Sequence, residues 1–367
     1  MSIEVIERIS HKYGANPSYV LAGGGNTSFK DEYHLYIKGS GTSLATITRD
    51  GFVKMSREAL AKIWDKDYSK EQDKREAEVL ADMMGARCTG EEAKRPSVET
   101  LLHNLFIQPY VLHVHPTMVN GLTCSVWGKD GMKKMFPDAI WIEETEPGYT
   151  LAKKCRDRIN EYEKKTGKRA NLLFLQNHGV FFSANSEEEM DKLVNGVMAE
   201  FEKNITTIPN TTPIETKKDV SSLIERVKAL NEDGAVVKFV LNAEVERLCQ
   251  SLDDFKVLLR PMSPDHIVYC KALPLYIENE DKLEENHALF VKENGYLPKI
   301  IFVQNVGMIA VGNSEKNAQV VSDVWLDAVK ISVYAQSFGG VRQMAPEMVD
   351  FIANWEVESY RSKVALK

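Results

Sequence analysis

Few features that mark secreted, membrane-bound or nucleic-acid-binding proteins occur in this sequence. Its 367 residues hold only five cysteines, Cys88, Cys124, Cys155, Cys249 and Cys270, an odd and scattered set with no CxxC pair. Such a set offers no disulfide framework and fits a reducing, cytoplasmic setting. No apolar run approaches the roughly 20 residues that a membrane span needs. The start, Met1-Ser-Ile-Glu-Val-Ile-Glu-Arg, is amphipathic and acidic rather than basic and then apolar, so neither export nor a membrane is expected. Basic residues number 46 against 53 acidic ones, a formal charge of −7. Without a global positive field, nucleic acid is not an expected partner.

What remains is the composition of an ordinary folded chain, 43% hydrophobic and 27% charged, long enough for two or three domains. Apolar Val5, Ile6 and Ile9 recur at helical spacing before Gly14 and predict a helix from about Ile3 to Tyr13. Strand-like Tyr19-Val-Leu-Ala leads into Gly23-Gly-Gly-Asn-Thr-Ser, His34-Leu-Tyr-Ile-Lys leads into Gly39-Ser-Gly-Thr, and Gly51-Phe-Val-Lys-Met reads as a third strand. Helices are expected over Arg57 to Trp64, Glu71 to Met84, Val98 to Phe106, Tyr149 to Lys165 and Glu187 to Ile205. Strands are expected at Tyr110-Val-Leu-His-Val-His, Ala139-Ile-Trp-Ile and Asn171-Leu-Leu-Phe-Leu-Gln.

Thr206 to Lys218 is polar, contains Pro209 and Pro213 and lacks periodicity, so it reads as a linker between domains at 1–208 and 219–367. The second half echoes the first. Phe174-Leu-Gln-Asn-His-Gly and Phe302-Val-Gln-Asn-Val-Gly lie 302 − 174 = 128 residues apart, and Asn185-Ser-Glu and Asn313-Ser-Glu keep that offset. A shared strand, turn and helix start at one offset points to a duplicated domain. Val306 then stands where His178 stands, and no HxH pair follows the linker.

His113 and His115 are two apart in a strand-like segment, so both side chains leave one face. That geometry can chelate an ion, yet two of eight histidines also fall two apart by chance, so a third ligand is required. His178, between a strand-like run and Gly179, is the candidate, and three imidazoles leave a fourth position open for substrate. Glu99, just after Pro96 and Ser97, reads alone as an acid favoured at a helix start. Beside three histidines it becomes a candidate general base. The clusters at Gly23 and Gly39 offer backbone N–H groups as phosphate cradles do, but match no nucleotide motif and by themselves are turns. Lys38 adds a charge nearby or is a solvated strand end.

In order along the first 205 residues, Gly25-Asn-Thr-Ser, Lys38-Gly-Ser-Gly-Thr, Pro96-Ser-Val-Glu, His113-Val-His-Pro, Glu146-Pro-Gly-Tyr and Gln176-Asn-His-Gly resemble the class II, zinc-dependent sugar-phosphate aldolase family. That family also includes adducin-like members. Lys38-Gly-Ser-Gly-Thr-Ser-Leu-Ala-Thr and Ser97-Val-Glu-Thr-Leu-Leu-His are similar to the larger branch associated with rhamnulose-1-phosphate aldolases, including those fused to a dehydrogenase. The resemblance implies a three-layer α/β/α domain with a mainly antiparallel central sheet, and the echo at offset 128 adds a degenerate second copy without metal ligands. It makes His113, His115 and His178 ligands of Zn²⁺ or another divalent metal and Glu99 the acid/base. Gly25, Asn26, Ser28, Ser40, Gly41 and Ser97 become contacts to a substrate phosphate, with Val98 where the small fuculose-phosphate type has a second serine. Tyr149 is a candidate proton donor. The implied activity is reversible aldol cleavage of a phosphorylated ketose, of the deoxy-ketohexose 1-phosphate type, to dihydroxyacetone phosphate and an aldehyde, by a homo-oligomer with sites between subunits. A pentulose-phosphate 4-epimerase, a sugar-phosphate dehydratase and a non-catalytic adducin-like interaction protein are the alternatives.

Overall fold

A computed structural model describes residues 2–216 and 218–355. Contacts divide the chain into two units, one comprising the chain up to Thr123 together with Gly128–Asn204, the other Cys124–Trp127 and the chain from Ile205 onward.

The first unit is built on seven strands: β1 (Asn26–Lys30), β2 (His34–Lys38), β3 (Phe52–Ser56), β4 (Tyr110–Val114), β5 (Ile140–Ile142), β6 (Leu172–Leu175) and β7 (Gly179–Ala184). They lie in the order β3-β2-β1-β4-β7-β6-β5. Every neighbouring pair is antiparallel except β5 and β6. Its helices are α1 (Ile3–Gly14), α2 (Arg57–Lys62), α3 (Gln72–Gly85), α4 (Thr100–Leu105), α5 (Thr117–Thr123), α6 (Gly128–Met135), α7 (Tyr149–Thr166) and α8 (Glu187–Asn204). The parallel pair β5–β6 needs a crossover, which α7 supplies.

The strands are apolar on both faces because helices cover both. On one face Leu35, Ile37, Val53, Met55, Val111, Leu173 and Phe181 meet Leu60 of α2, Val79 of α3, Leu101 of α4 and Ile159 of α7. On the other, Phe174 lies against Phe136 and Phe201, ring centroids 5.3 and 6.4 Å away, and the Ser10 hydroxyl of α1 meets that of Thr27 at 2.7 Å. The result is a three-layer α/β/α unit with a mainly antiparallel sheet.

One expected strand is absent. Tyr19 to Ala22 forms turns, with the N–H groups of Tyr19 and Val20 donating to Asn16 O, and the strand begins after the glycines, at Asn26. Ala22 has φ +51°, a conformation that leaves no continuous ladder. The helix expected over Val98 to Phe106 is shorter, because Glu99 is the residue that caps α4.

The second unit contains β8 (Val236–Val240), β9 (Leu275–Ile277), β10 (Ile300–Val303) and β11 (Gly307–Gly312), with α9 (Ser221–Ala229), α10 (Ala243–Leu248), α11 (Leu252–Phe255), α12 (Pro264–Cys270), α13 (Leu283–Asn294), α14 (Glu315–Tyr334) and α15 (Pro346–Asn354). Its sheet runs β8-β11-β10-β9, with only β9 and β10 parallel. This is the order and direction of β4-β7-β6-β5. The hairpin register repeats as well: Leu172 faces Phe182 and Ile300 faces Ala310, both shifted by 128. Asn177 and Asn305, at the two hairpin turns, share φ +56°. Phe181 pairs with His113, and Ile309, its equivalent, pairs with Phe239. Continuing two residues, Leu241 stands where His115 stands. The end of β8 is met by the preceding segment, where Ile214 N donates to Leu241 O at 3.0 Å and Asn210 N to Glu244 Oε1 at 2.9 Å. Among the described residues no helix is long and apolar enough to cross a membrane.

Replacing fully buried Phe174 by Ala removes the ring shared between Phe136 and Phe201. It should destabilise the protein by about 3–5 kcal/mol, read as a lower denaturant midpoint with the metal-binding stoichiometry of the remaining folded protein intact.

Candidate active site

Asn26, His113 and Phe181 lie abreast on three adjacent strands, since Asn26 pairs with His113 and His113 with Phe181. The period of two turns all three toward the helix layer that holds α4. The His113 ring stacks on Phe181, centroids 4.1 Å apart and planes 16° apart, and its Nδ1 sits 3.0 Å from Val180 O. An N–H donated to that carbonyl fixes the ring so that Nε2 faces the cluster.

His115 continues the chain just past β4, and the turn between β6 and β7 brings in His178. Ring centroids of His113, His115 and His178 are separated by 4.8, 5.1 and 5.0 Å. The Nε2 atoms of His113 and His115 are 3.0 Å apart, and ligand atoms of all three residues lie within 4.8 Å of one another. These spacings suit nitrogen ligands about 2.0–2.1 Å from one divalent ion. His113 is buried, whereas His115 and His178 are half-buried, so the cluster opens outward on their side.

The turn depends on two backbone features. Asn177 takes a left-handed conformation, tolerated best by Gly, Asn and Asp, and its N–H donates to Thr123 O at 3.0 Å. At Gly179 a Cβ would lie 2.6 Å from both His115 Cδ2 and Val114 O. The absence of a side chain there is what lets the imidazole of His115 approach, a role that the sequence motif does not announce.

Glu99 caps α4 and is 8% exposed. Its Oε1 lies 3.2 Å from His113 Nε2 and 3.8 Å from His178 Nε2, and its Oε2 accepts a hydrogen bond from Asn26 Nδ2. Burial alone would raise this carboxyl. The facing imidazoles, His113 foremost, outweigh it and hold Glu99 well below the ordinary carboxylate range.

The loops expected to meet phosphate are tied together beside Glu99. Ser97 N donates to Lys38 O at 3.2 Å and Ser40 N to Arg95 O at 2.8 Å. The Ser97 hydroxyl accepts from Glu99 N at 3.2 Å, and that of Ser40 donates to Pro96 O at 3.1 Å. Gly25 and Gly41 have φ of +69° and +85°, as turns of this kind require. Lys38 is buried rather than solvated, its Nζ donating to Gly23 O at 3.3 Å.

One expectation changes, at Ser28. Ser28 lies on the same face as Asn26 but two residues deeper, fully buried, with its Oγ 2.8 Å from His103 Nδ1; a phosphate does not reach it. Tyr149 packs between Trp64 and Tyr68, with ring centroids 5.7 and 5.2 Å away, in an aromatic group at the start of α7.

Gly179→Ala should displace His115 and lower metal affinity by about tenfold or more, measured by metal titration. Gly196→Ala, exposed on α8 with nothing within 4 Å of the added carbon, should bind metal as the wild type does.

The family model described as Class II Aldolase and Adducin N-terminal domain matches residues 8–198. A Bacillus subtilis (strain 168) protein named uncharacterized oxidoreductase YuxG is 22% identical over 414 residues. That alignment covers 99% of this chain, which spans 58% of the length of that relative. Among solved structures, the N-terminal class II aldolase domain of a conserved Thermoplasma acidophilum protein is similar at 24% identity and TM-score 0.46, over 55% of this chain and 93% of that one. L-fuculose-1-phosphate aldolase from Thermus thermophilus is similar at 14% identity and TM-score 0.34, over 55% and 89%. Since the family match takes in more than half of its 367 residues, the chain belongs to the class II aldolase and adducin family.

Proposed function

We propose that this protein is a metal-dependent lyase that cleaves a phosphorylated ketose, of the deoxy-ketohexose 1-phosphate type, reversibly to dihydroxyacetone phosphate and an aldehyde. The observation that carries this reading is the clustering of three imidazoles, two of which face one buried carboxylate, with Glu99 Oε1 3.2 Å from His113 Nε2 and 3.8 Å from His178 Nε2. His113, His115 and His178 are the groups that would hold the divalent ion, with zinc the first candidate. A bound ion of this kind supplies Lewis-acid polarisation of a carbonyl oxygen.

The chain's own residues do the rest. In cleavage the bond between C3 and C4 breaks, ionised Glu99 takes the proton of the C4 hydroxyl as the aldehyde forms, and it delivers that proton to the dihydroxyacetone phosphate carbon, which regenerates the carboxylate. In condensation Glu99 removes that proton. Asn26, by donating to Oε2, fixes the carboxylate so that Oε1 faces the histidines. Gly25, Asn26, Ser40, Gly41 and Ser97 hold the phosphate and so set the distance from the reacting carbon to Glu99. An adducin-like, purely interacting role does not require this constellation, and the retained carboxylate and imidazoles favour catalysis. A homo-oligomer in the cytoplasm is the proposed setting.

The second unit, within 219–367, is proposed to be a degenerate copy of the domain at 1–208. Support comes from the shared hairpin register and the shared φ of Asn177 and Asn305. Phe239, Leu241 and Val306 occupy the three ligand positions, which leaves this copy without metal chemistry.

Glu99→Gln should retain one bound metal per chain and lose about 10²–10⁴-fold in activity. Hydrogen exchange at the dihydroxyacetone phosphate carbon, followed by NMR, should fall equally, and exchange at the wild-type rate would place the base elsewhere. With the wild type, release of two fragments identifies an aldolase, whereas a single isomeric product identifies an epimerase. For the copy, the triple variant F239H/L241H/V306H should take up a second equivalent of Co²⁺ with the visible spectrum of nitrogen ligation. A stoichiometry that stays at one would count against the backbone correspondence.

A further inference from the structure

His103 is the one histidine near the site that is neither a candidate ligand nor exposed. It follows Glu99 by four residues, so both lie on one face of α4, and its N–H donates to Glu99 O at 3.0 Å. The side chain is fully buried. Its Nδ1 is 2.8 Å from the hydroxyl of Ser28, which is equally buried, while its Nε2 has no hydrogen-bond partner. Edge-on, the ring meets Phe181 with centroids 5.3 Å apart, and Phe181 is the ring on which His113 stacks.

These contacts close a loop. Ser28 is two residues from Asn26 on β1, and Asn26 donates to Glu99. The Ser28–His103 bond therefore ties β1 to α4 one turn below the point where Asn26 meets the carboxylate. For filling space alone an apolar side chain would serve better, since it would not leave Nε2 buried without a partner. The arrangement makes sense when the hydrogen bond itself fixes a distance.

We infer that His103, bolted to β1 by Ser28, is a positioning residue that holds the Glu99 carboxylate in register with Asn26 and His113. Proton transfer requires reacting atoms near hydrogen-bond distance, and a helix free to slide along the strand by a fraction of an ångström weakens it. The loss then falls on turnover rather than on substrate or metal binding. This inference rests on the proposed role of Glu99 as the group that moves the proton.

The test compares the full chain, metal-loaded, with Ser28→Ala, His103→Leu, His103→Asn and the double variant S28A/H103L. Four readouts are taken: thermal melting, metal content, kcat with KM for the ketose phosphate, and hydrogen exchange into dihydroxyacetone phosphate. Ser28→Ala removes a single oxygen and is the variant least prone to misfold. It and His103→Leu should each lower kcat and the exchange rate by about 10–100-fold, with KM and metal content within about twofold of wild type. The double variant should be no worse than His103→Leu, because both changes remove one bond. His103→Asn, which can place a polar atom near the position of Nδ1, should recover most of the rate. Wild-type kcat and exchange in Ser28→Ala and His103→Leu would overturn the inference, as would equal losses for His103→Asn and His103→Leu. If Glu99→Gln exchanges normally, the reading of Glu99 fails and this inference with it. If Glu99→Gln is inactive while the Ser28 and His103 variants are not, the inference alone fails.

Discussion

The contact between Glu99 and His113 is the interaction on which the site's arrangement rests. A carboxylate with 8% exposure is held ionised by imidazoles, and each partner is fixed by a different part of the sheet and helix framework. Glu99 comes from the start of α4, His113 from β4 at the middle of the seven-stranded sheet, and His178 from a hairpin turn. Burying the carboxylate without the groups that face it would leave it unpaired, which is strongly destabilising. The layers must therefore meet correctly for this carboxylate to be tolerated, and it in turn penalises packings in which they do not meet.

Such coupling also explains why small features carry weight. Gly179 matters because nothing larger than hydrogen fits between β7 and His115. Phe181 matters because it supports His113 with its face and His103 with its side. The aromatic ring is thus a shared floor under a candidate ligand and a buried neutral group; burial itself holds His103 well below its ordinary range.

Much of this was legible in the amino-acid sequence. The strand period brought His113 and His115 to one side, the pause before Gly179 marked His178, and the start of a helix marked Glu99. Tyr19-Val-Leu-Ala has the apolar character of a strand, yet the ladder begins beyond the glycines at Asn26, where β4 is available as a partner. Ser28 belongs to the Gly25-Asn-Thr-Ser motif, yet a motif records which residue is present and not how deep it lies. From sequence His103 reads as a surface or packing residue, although its spacing of four from Glu99 places both on one helix face. Long-range pairing, such as that of Ser28 Oγ with His103 Nδ1, leaves no trace in local periodicity.

The four-stranded sheet of the second unit has a consequence for how the protein behaves in concentrated solution. In the first unit, β4 is flanked on both sides; its counterpart β8 pairs along its length with β11 alone among the described residues. An open strand edge is a template for another molecule's strand and hence for aggregation. Three features blunt it here: β8 is only five residues long, Lys238 sits at its centre, and the segment from Asn210 to Ile214 lies against its end. What reads in sequence as a passive connector thus also serves as a guard against sheet-to-sheet polymerisation.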